Sequence, residues 1–132
     1  MSYDRPNRQK FSVRFDAGNN GNEVWVVHGP KGKEGRLWDY GVEGVTEAFT
    51  ADCTLSVGTA ADPDAYGDEF PMNALAIDTQ RSIRSVFNEH AAGFATYMLA
   101  PDIPADTPVH LTLVDDSTTG IGNFFVVIDW AD

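Results

Sequence analysis

Short stretches in which apolar and polar residues alternate one for one constrain this chain more than any other feature. Phe11, Val13 and Phe15 alternate with Ser12 and Arg14, and Cys53, Leu55 and Val57 alternate with Thr54 and Ser56. Leu111 and Leu113 share one face, while His110 and Thr112 share the other. A period of two places these sets on opposite faces of an extended strand, one toward a core and one toward water. Asn123–Asp129 is apolar on both faces, through Phe124, Val126 and Ile128 on one and Phe125 and Val127 on the other, which marks a central strand. Val24–His28 is similar. With further candidates at 44–49, 73–78 and 94–100, the pattern predicts about eight short strands.

Turn chemistry punctuates them. The Gly- and Asn-rich segment Asp16–Asn22 separates the first two strands, with residues that accept positive φ. Thr118–Asn123 is expected to join the last two as a hairpin, and Asp62–Asp68 to form a long polar loop. Pro101, Pro104 and Pro108 fall between segments, where a missing N–H costs no ladder bond. In Thr79–Ala92, the residues Ile83, Val86, Phe87 and His90 recur at helical spacing. A short helix or loop is therefore preferred there, with an irregular strand as the rival. The expected fold class is all-β: a single β-sandwich or barrel-like domain of antiparallel strands over 11–132, preceded by an extended polar N-terminal arm over 1–10.

The 132 residues are enough to bury a core without disulfides, and the single Cys53 permits no internal disulfide. Cys53 alternates in register with Leu55 and Val57, so an inert buried thiol is expected rather than a nucleophile. No apolar run exceeds the five residues Phe124–Ile128, far short of a helical membrane span. The first ten residues lack the apolar stretch of a signal peptide, so synthesis in the cytoplasm is expected. The net charge of −11 is unevenly placed. Residues 1–36 carry Arg5, Arg8, Lys10, Arg14, Lys31, Lys33 and Arg36 against four carboxylates, a net +3. Residues 37–132 carry only Arg81 and Arg84 against sixteen carboxylates, a net −14. So acidic a remainder repels nucleic acid and anionic lipid, and neither is an expected partner. The basic third is suited to an acidic protein surface; scattered solvated charges are the plainer alternative.

No catalytic pattern stands out. Gly29–Gly35 suggests a phosphate loop but lacks its first glycine, has Glu34 after Lys33, and loses an N–H at Pro30. Asp62, Asp64 and Asp68 with Gly67 mimic the start of a calcium loop, yet Asn73 stands where the bidentate Glu belongs and Tyr66 takes a ligand position. Asp115-Asp116 reads as turn chemistry. His28, His90 and His110 have no metal-site spacing. No Gly-x-Ser-x-Gly elbow occurs. No cofactor, metal or enzymatic activity is therefore expected. Trp25 and Trp130 lie in strands and belong in or beside the core. Trp38, beside Arg36 and Tyr40 in a loop-like stretch, has the composition of an interface anchor.

Several runs resemble small structural proteins of tailed-phage particles, most of all head decoration (cement) proteins. They are GPKGKEGRLWDYGV at 29–42, VTEAFT at 45–50, VGTAADPDAYG at 57–67, IPADTPVHLTLV at 103–114 and TGIGNFFVVIDW at 119–130. The resemblance implies a non-enzymatic β-rich protein on the capsid exterior of a virion, often a trimer, that clamps neighbouring copies of the major capsid protein. Under that reading Arg5, Arg8, Lys10, Lys31, Lys33 and Arg36, together with Trp38, are the expected capsid contacts. A tail, neck or head-fibre component is the alternative within the virion. Outside it, the alternative is a carbohydrate-binding β-sandwich module that stacks sugars on Trp38 and Tyr40.

Overall fold

In a computed structural model the chain is an all-β sandwich; residues 7–20, 22–51, 53–71, 75–87, 91–115 and 119–131 are described. The elements, in chain order, are β1 (Asn7–Asp16), α1 (Ala17–Asn20), β2 (Glu23–Val27), β3 (Gly35–Glu47), β4 (Cys53–Gly58), β5 (Gly67–Pro71), β6 (Arg81–Ser82), α2 (Ile83–Val86), α3 (Ala92–Tyr97), β7 (Asp102–Ile103), β8 (Val109–Asp115) and β9 (Ile121–Trp130). One sheet runs β1-β9-β3-β6, with β7 also paired to β3; the other runs β2-β8-β4-β5. Every strand pairing is antiparallel.

Among these elements only β4–β5 and β6–β7 follow one another within a sheet; each other connection crosses the sandwich. β8 and β9 lie in different sheets, so they do not form the expected hairpin; residues 116–118 between them lie outside the described residues. A Gly-rich segment permits either path; the apolar inner faces of both strands select the one that buries them against each other. Phe15, Tyr40, Val42, Phe124, Val126 and Ile128 meet Leu55, Val57, Phe70, Leu111 and Leu113, all almost fully excluded from water. Rings lock the layers: Trp25 of β2 meets Phe124 of β9 edge-on at 6.1 Å, and Tyr40 of β3 meets Phe70 of β5 at 6.1 Å. Cys53 is buried among them, and β9 lies between β1 and β3 as its two apolar faces require.

Four expectations change. Asn7–Lys10 of the expected arm extend β1, paired residue by residue with Lys10↔Val127 through Asn7↔Trp130; residues 1–6 lie outside the described residues. The side chains of Asn7–Lys10 are polar because this end of an edge strand is exposed, not because it is unpaired. Within 94–100, read as strand, Phe94–Tyr97 belong to helix α3, which sets Phe94 into the core and Tyr97 against Phe70 at 5.3 Å. The end of the acidic loop, from Gly67, is β5. In 73–78 the described residues 75–78 form no strand. The helix preferred within 79–92 is present as α2, whose first turn is closed by Ser82 and Ser85 in a reciprocal capping box; His90 lies outside the described residues. No helix of the described residues is long and apolar enough to cross a membrane.

Candidate functional site

The outer face of β1, β9 and β3 collects most of the residues singled out in the sequence. Strand register puts Arg8, Asp129 and Arg36 in one row, Lys10, Val127 and Asp39 in the next, and Arg14, Asn123 and Glu43 in another. Alternation makes this the face opposite to Phe11, Phe124 and Tyr40. Five of the chain's nine Lys and Arg, namely Arg8, Lys10, Arg14, Arg36 and Arg84, gather on or over it.

Trp38 is at the centre. It belongs to β3 and not to a loop: Leu37 pairs with Ile128 and Asp39 with Val127, so Trp38 is the extra residue of a β-bulge. A bulge re-aims a side chain. Here the indole meets the Arg8 guanidinium at 4.0 Å and the Arg84 guanidinium at 4.1 Å. Arg8 also grips Asp129 with two bonds, Nε to Oδ1 at 2.6 Å and Nη2 to Oδ2 at 2.9 Å, and this pairing raises its pKa further. Lys10 pairs with Glu43 at 2.5 Å and lies 4.8 Å from the Phe125 ring, covering an apolar residue on the sheet's outer side. Arg14 donates to Thr46 Oγ1 at 2.7 Å.

Asp39 fastens α2 to this face. Its Oδ2 accepts from Ser82 Oγ at 2.8 Å, and its Oδ1 accepts from the backbone N–H of Tyr40 at 2.9 Å and of Arg84 at 3.1 Å. Burial raises the Asp39 pKa, opposed by those hydrogen bonds and by the Arg84 charge. Arg84 Nε in turn donates to the Trp38 carbonyl at 2.7 Å. The result is an open cleft of about 360 Å³ lined by Arg36, Trp38, Arg84, Phe94, Met98 and Pro101. Cationic rims over an aromatic and thioether floor suit an acidic segment of a protein partner.

Of the expected contact residues, Arg8, Lys10, Arg36 and Trp38 are thus brought together. Lys31 and Lys33 are not on this face. They occupy the β2–β3 connection, around a hollow of about 190 Å³ that His28, Asp106 and Trp130 also line. That loop is pinned where the Gly32 N–H donates to Asp106 Oδ1 at 2.7 Å, with Gly32 at φ +74°. Because Trp130 pairs with both Asn7 and Gly35, the loop sits at the same end of the sheet as Arg8 and Arg36. Arg5 lies outside the described residues.

Arg84, Asp39 and Asp129 escaped the sequence reading. The available signal was the isolation of Arg81 and Arg84 in an otherwise acidic stretch, and both prove to be engaged. Arg81 Nε donates to the Pro71 carbonyl at 3.0 Å, and its guanidinium lies 5.2 Å from the Phe70 ring. Tyr40 is no platform for sugars: it is fully buried, and its hydroxyl donates to the Asp68 carbonyl at 2.6 Å. The mimicked calcium loop does not keep that geometry either, since Gly67 opens β5 with its Cα packed on the Tyr40 ring. Asp64 instead stands beside Asp62 and Asp68, whose carboxylates lift its pKa to about 6. Compared with protein families, curated proteins and solved structures, the chain matches none.

Proposed function

We propose that this protein is a non-enzymatic binding module that docks through the outer face of β1, β9 and β3 onto an acidic protein surface. The observation that carries the reading is the convergence of Arg8, Arg36 and Arg84 around Trp38, with Lys10 on the same sheet face, on a chain of net charge −11. Cations concentrated on one face give such a chain one place to hold a carboxylate-bearing surface, and the acidic remainder stays solvated. Trp38 supplies the aromatic anchor on which interface energy concentrates. The resemblance to head decoration proteins makes the partner the major capsid protein on the outside of a phage head. Many copies on a repeating lattice add up modest single contacts.

A tail, neck or head-fibre position remains the second reading within the virion. The sugar-binding reading loses support, because Tyr40 is buried and the Trp38 indole is already engaged by two guanidiniums.

The test is add-back to heads stripped of this protein. The wild-type chain is expected to rebind and restore resistance to heat, whereas a triple reversal (Arg8→Glu, Lys10→Glu and Arg36→Glu) fails to rebind while keeping its circular dichroism. Charge reversal is the better probe than deletion of residues 2–10, because residues 7–10 form ladder bonds with β9. Equal binding by the triple variant, or absence of the protein from mature heads, overturns the reading.

A further inference from the structure

The opposite sheet ends in a strand whose outward side chains are apolar and exposed. In β2, Val24 is 53 % and Val26 46 % exposed. Val114 of the neighbouring β8 is 39 % exposed on the same face, and Thr112 and His110 stand beside Val24 and Val26 in register. On this face β2 and β8 carry no carboxylate, although the chain has twenty. Among the described residues β2 pairs with β8 on one side and with no strand on the other. Edge strands are ordinarily guarded by lysine, proline or a bulge. The other sheet's edge, β1, follows that rule with Arg8, Lys10 and Arg14; the EVWVV of β2 does not.

We propose that β2 pairs with β2 of a second copy of this chain, antiparallel about a two-fold axis at Trp25, so that the two four-stranded sheets become one. The strand is nearly palindromic about that residue. Trp25 would face Trp25, each Val24 would face a Val26, and each Glu23 would face a Val27, so no carboxylate opposes another. β-branched residues across a strand pair are a favourable match, and a self-complementary patch is what a two-fold interface needs. Charge selects the same occupant. Two chains of −11 repel at any acidic surface, and this edge, whose one carboxylate, Glu23, would lie opposite Val27, lets them meet without setting carboxylate against carboxylate. The same operation at β1, about Phe11, would set Arg8 against Arg14 of the copy. The inference is independent of the docking face, which lies on the other sheet.

Sedimentation of the full chain over a range of concentrations tests it, with the register read by cysteine pairing. The wild type is expected at twice the 14.4 kDa chain mass at high concentration. Val26→Lys is expected at the single-chain mass with unchanged circular dichroism. A Val24→Cys variant mixed with a Val26→Cys variant should give a disulfide-linked dimer on oxidation, and neither alone should do so. Residue 24 lies only diagonally from its own copy, about 7–8 Å away and beyond disulfide reach. Buried Cys53 does not compete. A monomer at every concentration overturns the proposal. So does a trimer or larger species that survives Val26→Lys, or cross-linking by each cysteine variant alone.

Discussion

Asp39 shows how one residue ties the docking face to the fold. At 5 % exposure its carboxylate is nearly dry, and three donors, from Ser82, Tyr40 and Arg84, converge on it. Each donor left without an acceptor in a buried setting costs about 1–3 kcal/mol. Asp39→Ala strands two backbone N–H groups and the Ser82 hydroxyl together, though Ser82 Oγ keeps the Ser85 N–H it accepts at 3.2 Å. Urea unfolding should therefore show a loss of about 3 kcal/mol for Asp39→Ala. Asp39→Asn keeps one oxygen for both N–H groups and should lose only about 1 kcal/mol. Equal losses would mean that the carboxylate's volume matters and its acceptors do not. The sequence held a hint of this site in Arg36-Leu-Trp-Asp-Tyr40. It gave none that Ser82 and Arg84, more than forty residues away, would close over it, because that contact exists only once β6 pairs with β3.

Whether an element was legible followed how strictly its side chains alternate. β1, β4 and β8 each keep apolar residues on one period-two face and β9 on both, and the pattern located them. β3 hides its thirteen residues behind three glycines, a bulge at Trp38 and a second irregularity at 43–47, so only its end was visible in advance. Gly41 of β3 is required by the fold, since a Cβ there would stand 2.1 Å from the Arg81 carbonyl oxygen; to the sequence it was merely a break. α3 overlaps the run 94–100 read as strand, although Phe94, Tyr97 and Met98 recur at helical spacing; over so short a run the period does not decide between the two. The β4–β5 loop gives the element-scale prediction. The neighbouring Asp62 and Asp68 carboxylates raise Asp64 to about 6. The folded state thus holds a proton there that the unfolded chain releases near its ordinary value of 3.8. Stability from this group is greatest below that value and falls as pH rises to about 6, where Asp64 ionises beside its neighbours. Asp64→Asn removes that loss. Its melting temperature should move above the wild type's as pH rises from 4 to 6, and stay above it at pH 7. A constant difference between the two proteins across that range would refute shared protonation in this loop.

At the scale of the whole molecule two electrostatic effects oppose each other, and their ranges differ. The chain carries −11, so an acidic partner is repelled at distance. The cations around Trp38 attract it only at contact, because Asp129, Glu43 and Asp39 are interleaved with them and their joint field decays quickly. Salt screens the distant term first: the screening length falls from roughly 14 Å at 0.05 M to about 8 Å at 0.15 M. Added salt should therefore speed association, by weakening overall repulsion, and also speed dissociation, by weakening the Arg and Lys contacts at the face. The expected signature is an affinity that passes through a maximum at intermediate ionic strength. That differs from the steady decline of oppositely charged pairs. Binding kinetics on immobilised stripped heads over a sodium chloride series would separate the two rates. In the same series the triple reversal at Arg8, Lys10 and Arg36 adds repulsion at the face. Its association should quicken most with salt, with bound complexes short-lived throughout. An association rate that falls steadily as salt rises would mean that the basic face governs the approach as well as the grip, with no opposition between the two ranges.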